Sequence, residues 1–220
     1  MNLVGKKSIN LNTSEFANFA ESLSNRCLSL GYPILPFDRP TLPKFSSLPI
    51  LEQEKALFNL KDFYAAISSV EPEDSIKSSR SLWVLLKNRR YKYHSSILEN
   101  ITDEHKIEIY NLDGILSWCS LNVFGICSYT VEEMKCYSWE ERYSRNSDDT
   151  QKILNAIQEA LKSKDLSPCV AKVNDHLVVE RFSKKLYQLQ VSHDLFAPLK
   201  DASGQINSFL VTSKVKILNS

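Results

Sequence analysis

The 220-residue sequence has no run of about 18 or more apolar residues, so it predicts no membrane-spanning helix. The first residues also lack the apolar stretch of a signal peptide. Neither sign of charge dominates, because 27 Lys and Arg stand against 26 Asp and Glu, a formal net charge of +1. Bulk electrostatics therefore gives no reason to expect a nucleic acid or an anionic membrane as partner. We expect a cytoplasmic protein.

The cysteines do not form a pattern that indicates disulfides or a metal site. There are five, an odd number, and no two have the close C-x-x-C spacing of a zinc or redox site. Without a secretion signal, reduced and buried thiols are the expected state.

Catalytic motifs are missing as well. The sequence has no G-x-S-x-G elbow, no phosphate-binding loop and no H-E-x-x-H helix. Its acidic pairs are Glu132-Glu133, Glu140-Glu141 and Asp148-Asp149. Neighbouring side chains on a helix point about 100° apart, so such pairs do not converge on one substrate. We do not expect an enzyme.

Residues 1–105 have mainly helical patterns and are interpreted as an N-terminal extension. Asn12, followed three residues later by Glu15, predicts a helix start. An apolar stripe follows at helical spacing, in which the candidate interface residues are Phe16, Phe19, Leu23 and Leu30. Because this stripe is too large to leave in water, we expect it to pack on the C-terminal sheet or on a second subunit. A homodimer through the helices is therefore expected.

The rest of the extension contains a proline-rich connector and two further helices. Residues 33–49 hold five of the eight prolines, which excludes a long helix there. A helix is predicted over residues 50–70 and another within residues 79–101. The second carries basic residues between aromatic ones, a pattern that can bind nucleic acid. We favour a solvated helix face, since Glu99, Asp103 and Glu104 soon balance the charge.

Residues 106–220 change to strand patterns. Residues 106–110 alternate, Leu112-Asp113-Gly114 predicts a turn, and residues 115–120 again resemble a strand. Helical segments follow, and after Pro168 come further strands that end in a hairpin around Gly204. The order predicts an α+β fold, an antiparallel sheet with helices on one face.

Four segments of this half together resemble the PAS-domain family. Leu112-Asp113-Gly114-Ile115-Leu116-Ser117-Trp118 resembles the first PAS hairpin, and Pro198-Leu199-Lys200-Asp201 with Gly204-Gln205-Ile206 resembles the closing one. Between them, Asn122, Phe124 and the stretch from Cys127 to Met134 are similar to the family's Asn-x-x-Phe and Gly-Tyr-Ser/Thr-x-Glu-Glu-Leu segment. Asp148-Asp149 is similar to the pair that precedes the long PAS helix. Ser128 stands where the family commonly has Gly.

The resemblance implies a sheet that curls against helices and encloses a small cavity. In the family that cavity holds haem, flavin, a small metabolite or nothing. A small organic ligand remains open here, and the candidate pocket residues are Trp118, Phe124, Ile126, Tyr129, Tyr187, Leu189, Phe209 and Val211. The alternative is that these side chains only fill the core.

Haem and flavin are not expected. The photoactive flavin domains of the family carry an Asn-Cys-Arg-Phe motif, which this sequence lacks. A haem ligand is most often a His on the helix before the later strands, and residues 149–163 contain no His.

The resemblance thus implies a sensory or regulatory module that couples binding of a ligand or partner to protein association. Such a module would be the input part of a signalling or transcriptional regulator, with an output domain or protein partner. The alternative is a stand-alone protein-protein interaction module whose core is filled and which binds no small molecule.

Overall fold

The computed structural model describes residues 4–34, 42–72, 77–99, 101, 104–170, 173 and 175–219. For residues 4–11 and 77–79 it describes the backbone alone. The helices are α1 (Val4–Ser29), α2 (Pro43–Ser47), α3 (Ile50–Ser68), α4 (Lys77–Asn88), α5 (Ser96–Glu99), α6 (Val123–Ile126), α7 (Val131–Cys136), α8 (Trp139–Arg142) and α9 (Ser147–Leu161). The strands are β1 (Lys106–Asn111), β2 (Leu116–Cys119), β3 (Tyr143–Arg145), β4 (Cys169–Val170), β5 (His176–Glu180), β6 (Gln188–Lys200) and β7 (Ile206–Asn219).

The fold is α+β, with helices first and then one curled antiparallel sheet against which helices pack. The strand order is β2-β1-β7-β6-β5-β3, and β4 pairs with β6. Both predicted hairpins are present, as β1–β2 and β6–β7, and the pairing of β1 with β7 joins them. Gly204 closes the second hairpin with a φ of +85°, a conformation that glycine adopts without steric cost.

The N-terminal helices cover the apolar stripe of α1. The rings of Phe16 and Phe45 lie 4.3 Å apart, and those of Phe19 and Tyr64 lie 5.8 Å apart. Phe16, Leu23 and Leu30 are buried and Phe19 is partly buried within the single chain. Within the chain the stripe packs on α2 and α3, partners that the expectation did not name, and these helices cover it without a second subunit.

The start of the first helix also differs from the prediction. The expected N-cap at Asn12 is wrong, since α1 begins at Val4 and Asn12 lies inside it. The proline-rich connector contains the short helix α2, and residues 35–41 of that connector lie outside the described residues. The predicted helix over residues 50–70 is confirmed as α3. In the described part of the chain, no helix combines the length and apolarity that a membrane crossing requires.

The two halves share one hydrophobic core. Backbone amides and carbonyls of Lys92 and Lys200 exchange hydrogen bonds, at 2.8 and 3.0 Å, and so attach the chain after α4 to β6. Close by, the hydroxyls of Tyr91 and Ser208 are 2.9 Å apart. The N-terminal helices are therefore built into the same packed body as the sheet.

Candidate functional site

A small cavity lies between the sheet and α9. Its free volume is about 40 Å³. The apolar part of its wall comes from α9 and from strands β5, β6 and β7, namely Ile153, Ile157, Val178, Leu189, Val191, Phe196, Phe209 and Val211. Aromatic side chains of Tyr110, Trp139 and Tyr143 close it further.

Strand β1 supplies polar groups to this cavity at alternate positions. Side chains two residues apart on a strand share a face, and Lys106, Glu108 and Tyr110 all line the cavity. Lys106 Nζ lies 3.1 Å from Glu108 Oε2, and both residues are buried. Burial alone would lower the pKa of Lys106, but Glu108, Tyr110 and Cys127 together outweigh it, so this pKa is raised. Lys106 and Glu108 accordingly form a buried ion pair.

Three cavity residues carry buried polar atoms without a hydrogen-bond partner among the described residues. The atoms are Glu108 Oε1, Arg145 Nε, and both Nδ1 and Nε2 of His193. Burying a polar atom unpaired costs about 1–3 kcal/mol, so most buried polar groups are paired in proteins. Four such atoms around one cavity are typical of a site that receives a polar molecule or ordered water.

His193 is neutral at physiological pH. Burial lowers its pKa well below the usual range, and the nearby cations Arg145 and Lys106, together with His176, lower it further. Although His193 is partly exposed as a residue, both ring nitrogens are buried. A neutral imidazole offers one donor and one acceptor, so His193 can bond either kind of ligand atom.

Arg142 adds a second guanidinium near the cavity. It is 1% exposed, and its Nη2 donates to the hydroxyl of Tyr110 at 3.1 Å. The rings of Tyr110, Tyr129 and Tyr143 surround the guanidinium, with centroids 5.6–5.8 Å from its carbon. The positive charge is thus held in place mainly by aromatic faces.

The eight predicted pocket residues divide into two groups. Leu189, Phe209 and Val211 line the cavity. Trp118 and Phe124 instead contact Phe63 of α3, with ring centroids at 6.5 and 6.1 Å.

The other three predicted residues also lie outside the cavity wall. Tyr129 donates its hydroxyl hydrogen bond to the carbonyl of Arg142. The backbone amide of Tyr187 donates to Glu180 at 3.1 Å. Ile126 is partly buried at the end of α6.

The polar residues of the cavity were not among the predicted site residues. Lys106 and Glu108 alternate with isoleucines in a strand, and charged residues on the buried face of a strand were a usable signal. Arg145 and His193 gave no such signal. Arg145 belongs to β3, a three-residue strand that the pattern did not predict, and His193 follows Ser192 in an ordinary strand pattern.

Two comparisons of the chain with known proteins found no match. No family model matches it, and none of the curated proteins compared with it is significantly similar. The described residues also contain no cluster of three or more His, Cys, Asp or Glu that could hold a metal ion. The site is therefore characterised by its own geometry, an apolar cavity with a few convergent polar groups.

Proposed function

We propose that this chain is a sensory or regulatory PAS-like module that binds a small polar molecule in the cavity and passes the change to its N-terminal helices. The observation that carries this proposal is the set of unpaired buried atoms on Glu108, Arg145 and His193 around one cavity. A cavity that was merely a packing defect would have apolar walls, since dry cavities in proteins are apolar.

The arrangement of the sheet supports the PAS-like part of the proposal. The resemblance implies two hairpins, a curled sheet, and a cavity between that sheet and helices. The chain has the hairpins β1–β2 and β6–β7, and the cavity lies between the sheet and α9.

A short physical connection leads from the cavity to the N-terminal helices. Glu108 lines the cavity, and the next residue, Ile109, points to the other face of the sheet. Ile109 pairs in register with Trp118, which contacts Phe63 of α3. A ligand that moves β1 would therefore also shift the contact between Trp118 and α3.

Association with a second copy or with an output domain belongs to the same proposal. Because the stripe of α1 is covered inside the chain, association through the helices would use their outer surfaces. Leu51 and Phe58 lie seven residues apart on one face of α3 and are 62% and 53% exposed. Exposed apolar side chains on one helix face are what such a contact requires.

Native mass spectrometry of freshly purified protein, with its visible absorption spectrum, tests the proposal. We expect a bound small molecule and no Soret band. Val178→Phe, which fills the cavity, should remove the bound mass, whereas Val179→Phe on the opposite face of β5 should retain it. A protein that carries no small molecule and that no compound stabilises would refute ligand binding.

A stand-alone interaction module is the second candidate. Exposed apolar side chains on β5 and in the segment after it favour this candidate, with Leu177, Phe182 and Leu186 51–64% exposed. A ligand at a hundredfold above its Kd stabilises a protein by about 2.7 kcal/mol. An interaction module would show no such shift, and Leu177→Asp would weaken its capture of a protein partner.

A further inference from the structure

We propose that the cavity selects a compact carboxylate that carries a hydroxyl group on the adjacent carbon. This inference rests on the proposed function, because it names the chemical class of the molecule that the cavity binds. Three properties of the site lead to it: volume, charge, and the kind of hydrogen bond that each unpaired atom requires.

The volume limits the ligand to a few atoms. The cavity has about 40 Å³ of free volume. A single water needs at least about 10–15 Å³ on this measure, so the cavity takes about three waters, or roughly 90 Å³ of liquid. That volume suits a molecule of about four to six non-hydrogen atoms and excludes flavin or haem unless the fold opens.

The charge of the lining favours an anion. Among the charged lining residues, Lys106 and Arg145 are cationic and Glu108 is anionic, which leaves an excess of one positive charge. Lys106 is the residue that pairs with Glu108, while Arg145 has no ion-pair partner among the described residues. Its guanidinium carbon lies 4.8 Å from the Trp139 ring centroid and 6.0 Å from that of Tyr143, and burial lowers the pKa of Arg145. A ligand carboxylate can form charge-assisted hydrogen bonds with a guanidinium.

The unpaired oxygen of Glu108 requires a hydrogen-bond donor on the ligand, beside the ligand's carboxylate. Glu108 Oε1 accepts only, so the ligand must present a donor to it. His193 can donate one ring N–H to the carboxylate, since its imidazole is neutral. An ammonium group would also donate to Glu108, but its charge would cancel that of the carboxylate and leave the excess of Arg145 uncompensated. A hydroxyl supplies the donor without adding charge.

Four probes of similar size separate these requirements. Glycolate has the carboxylate and the hydroxyl, acetate lacks the hydroxyl, glycolamide lacks the charge, and glycine replaces the hydroxyl by an ammonium. Titration calorimetry of the full chain at pH 7.5 and constant ionic strength should give the tightest binding for glycolate. We expect each of the other three to bind at least about tenfold more weakly. Equal or tighter binding of any of them would overturn the inference.

Two variants assign each preference to a residue. Glu108→Met removes the acceptor and should reduce the preference for glycolate over acetate to near unity, and Arg145→Gln should do the same for glycolate over glycolamide. Glu159→Gln and Arg90→Gln change exposed residues outside the cavity wall and should leave both ratios unchanged. A preference that survives its assigned variant contradicts the assignment. If Glu108→Met fails to fold because Lys106 loses its partner, the double variant with Lys106→Met removes both charges together.

The failure of this inference can be told apart from the failure of the proposed function. If native mass spectrometry identifies a bound molecule without a carboxylate, the hydroxycarboxylate class is wrong and the sensory role stands. If none of the probes binds, no mass is found and Val178→Phe is without effect, ordered water alone satisfies the polar atoms. Both proposals then fail.

Discussion

Phe63 of α3 meets Trp118 of β2 edge to face, with the ring centroids 6.5 Å apart and the ring planes at 75°. Both side chains are buried, and Phe63 also stacks on Phe124 at 6.1 Å. Aromatic pairs in this geometry stabilise beyond their buried area by about 0.5–1.5 kcal/mol. This contact attaches the helical half of the chain to the sheet.

Removing the Phe63 ring should therefore destabilise the whole fold. We expect Phe63→Ala to lower the free energy of unfolding by about 3–5 kcal/mol, the usual cost of a buried Phe. Phe58→Ala on the same helix is the matched control, because Phe58 is 53% exposed and the Arg89 guanidinium lies 4.3 Å from its ring centroid. Its loss should cost less than about 1 kcal/mol. Urea unfolding measures both values, and similar losses would contradict the role of Phe63.

Lys135, which lies beside Phe63, makes the free energy of unfolding depend on pH. Its Nζ lies 4.3 Å from the Phe63 ring centroid and donates to the carbonyls of Leu116 and Ser117, at 3.2 and 2.7 Å. Burial lowers the pKa of Lys135 from its usual 10.5 to about 7. Between these two values the unfolded chain binds a proton that the folded chain does not, so stability rises with pH across this window.

Lys135→Met should remove that dependence. The slope of the unfolding free energy between pH 7 and 10 should be smaller in the variant, by up to about 1.4 kcal/mol per pH unit. The two carbonyls lose a donor at every pH, which shifts the curve but not its slope. Lys164→Met, a change of an exposed lysine, should keep the slope of the original protein. Parallel curves for the original protein and Lys135→Met would show that Lys135 does not titrate in this window.

Local sequence patterns predicted the individual helices and strands better than they predicted which elements pack against each other. The α3 helix and the strands of the two hairpins follow from spacing and turn residues within each segment. The stripe of Phe16 and Leu23 was visible too, but its cover depends on α2 and Phe45, which lie in the connector where the prolines excluded a long helix and gave no signal for a short one.

The polar part of the site was less predictable for a physical reason. Lys135 looks like any polar residue of an acidic helix, and only the packing of α7 against β2 and Phe63 buries it. Arg145 and His193 are brought together by strands that are remote in sequence, so no local spacing indicates them. Burial of a charge is a tertiary property.

Ser128 supports a further prediction, because its side chain and its backbone amide both bond a buried carboxylate. Its hydroxyl donates to the buried Glu180 carboxylate, which also accepts from the Ser128 amide at 2.8 Å and from Ser183 Oγ at 2.9 Å. A hydrogen bond to a charged group contributes about 1.5–3 kcal/mol. Ser128→Ala should cost that much by chemical denaturation. Ser47→Ala, which removes an exposed hydroxyl bond to the carbonyl of Lys44, should cost less than about 0.5 kcal/mol.

Gly114 couples the first hairpin to the wall of the cavity. Its φ is +76°, and a Cβ there would lie 3.0 Å from Cδ1 of Trp139, a residue that lines the cavity. Gly114→Ala combines a left-handed backbone, which costs an L-residue about 1–2 kcal/mol, with a crowded ring that must move. We expect it to destabilise the protein by about 1–3 kcal/mol and to weaken ligand binding.

Gly125→Ala is the matched control for this change. Gly125 lies in α6, and an added Cβ meets no atom within 4 Å. Alanine restricts the unfolded chain, so this variant should gain about 0.4–1 kcal/mol. Thermal unfolding with and without glycolate measures both effects. If Gly114→Ala lowers stability but leaves the affinity unchanged, Trp139 adjusts without reshaping the cavity, and the proposed coupling between the hairpin and the site is wrong.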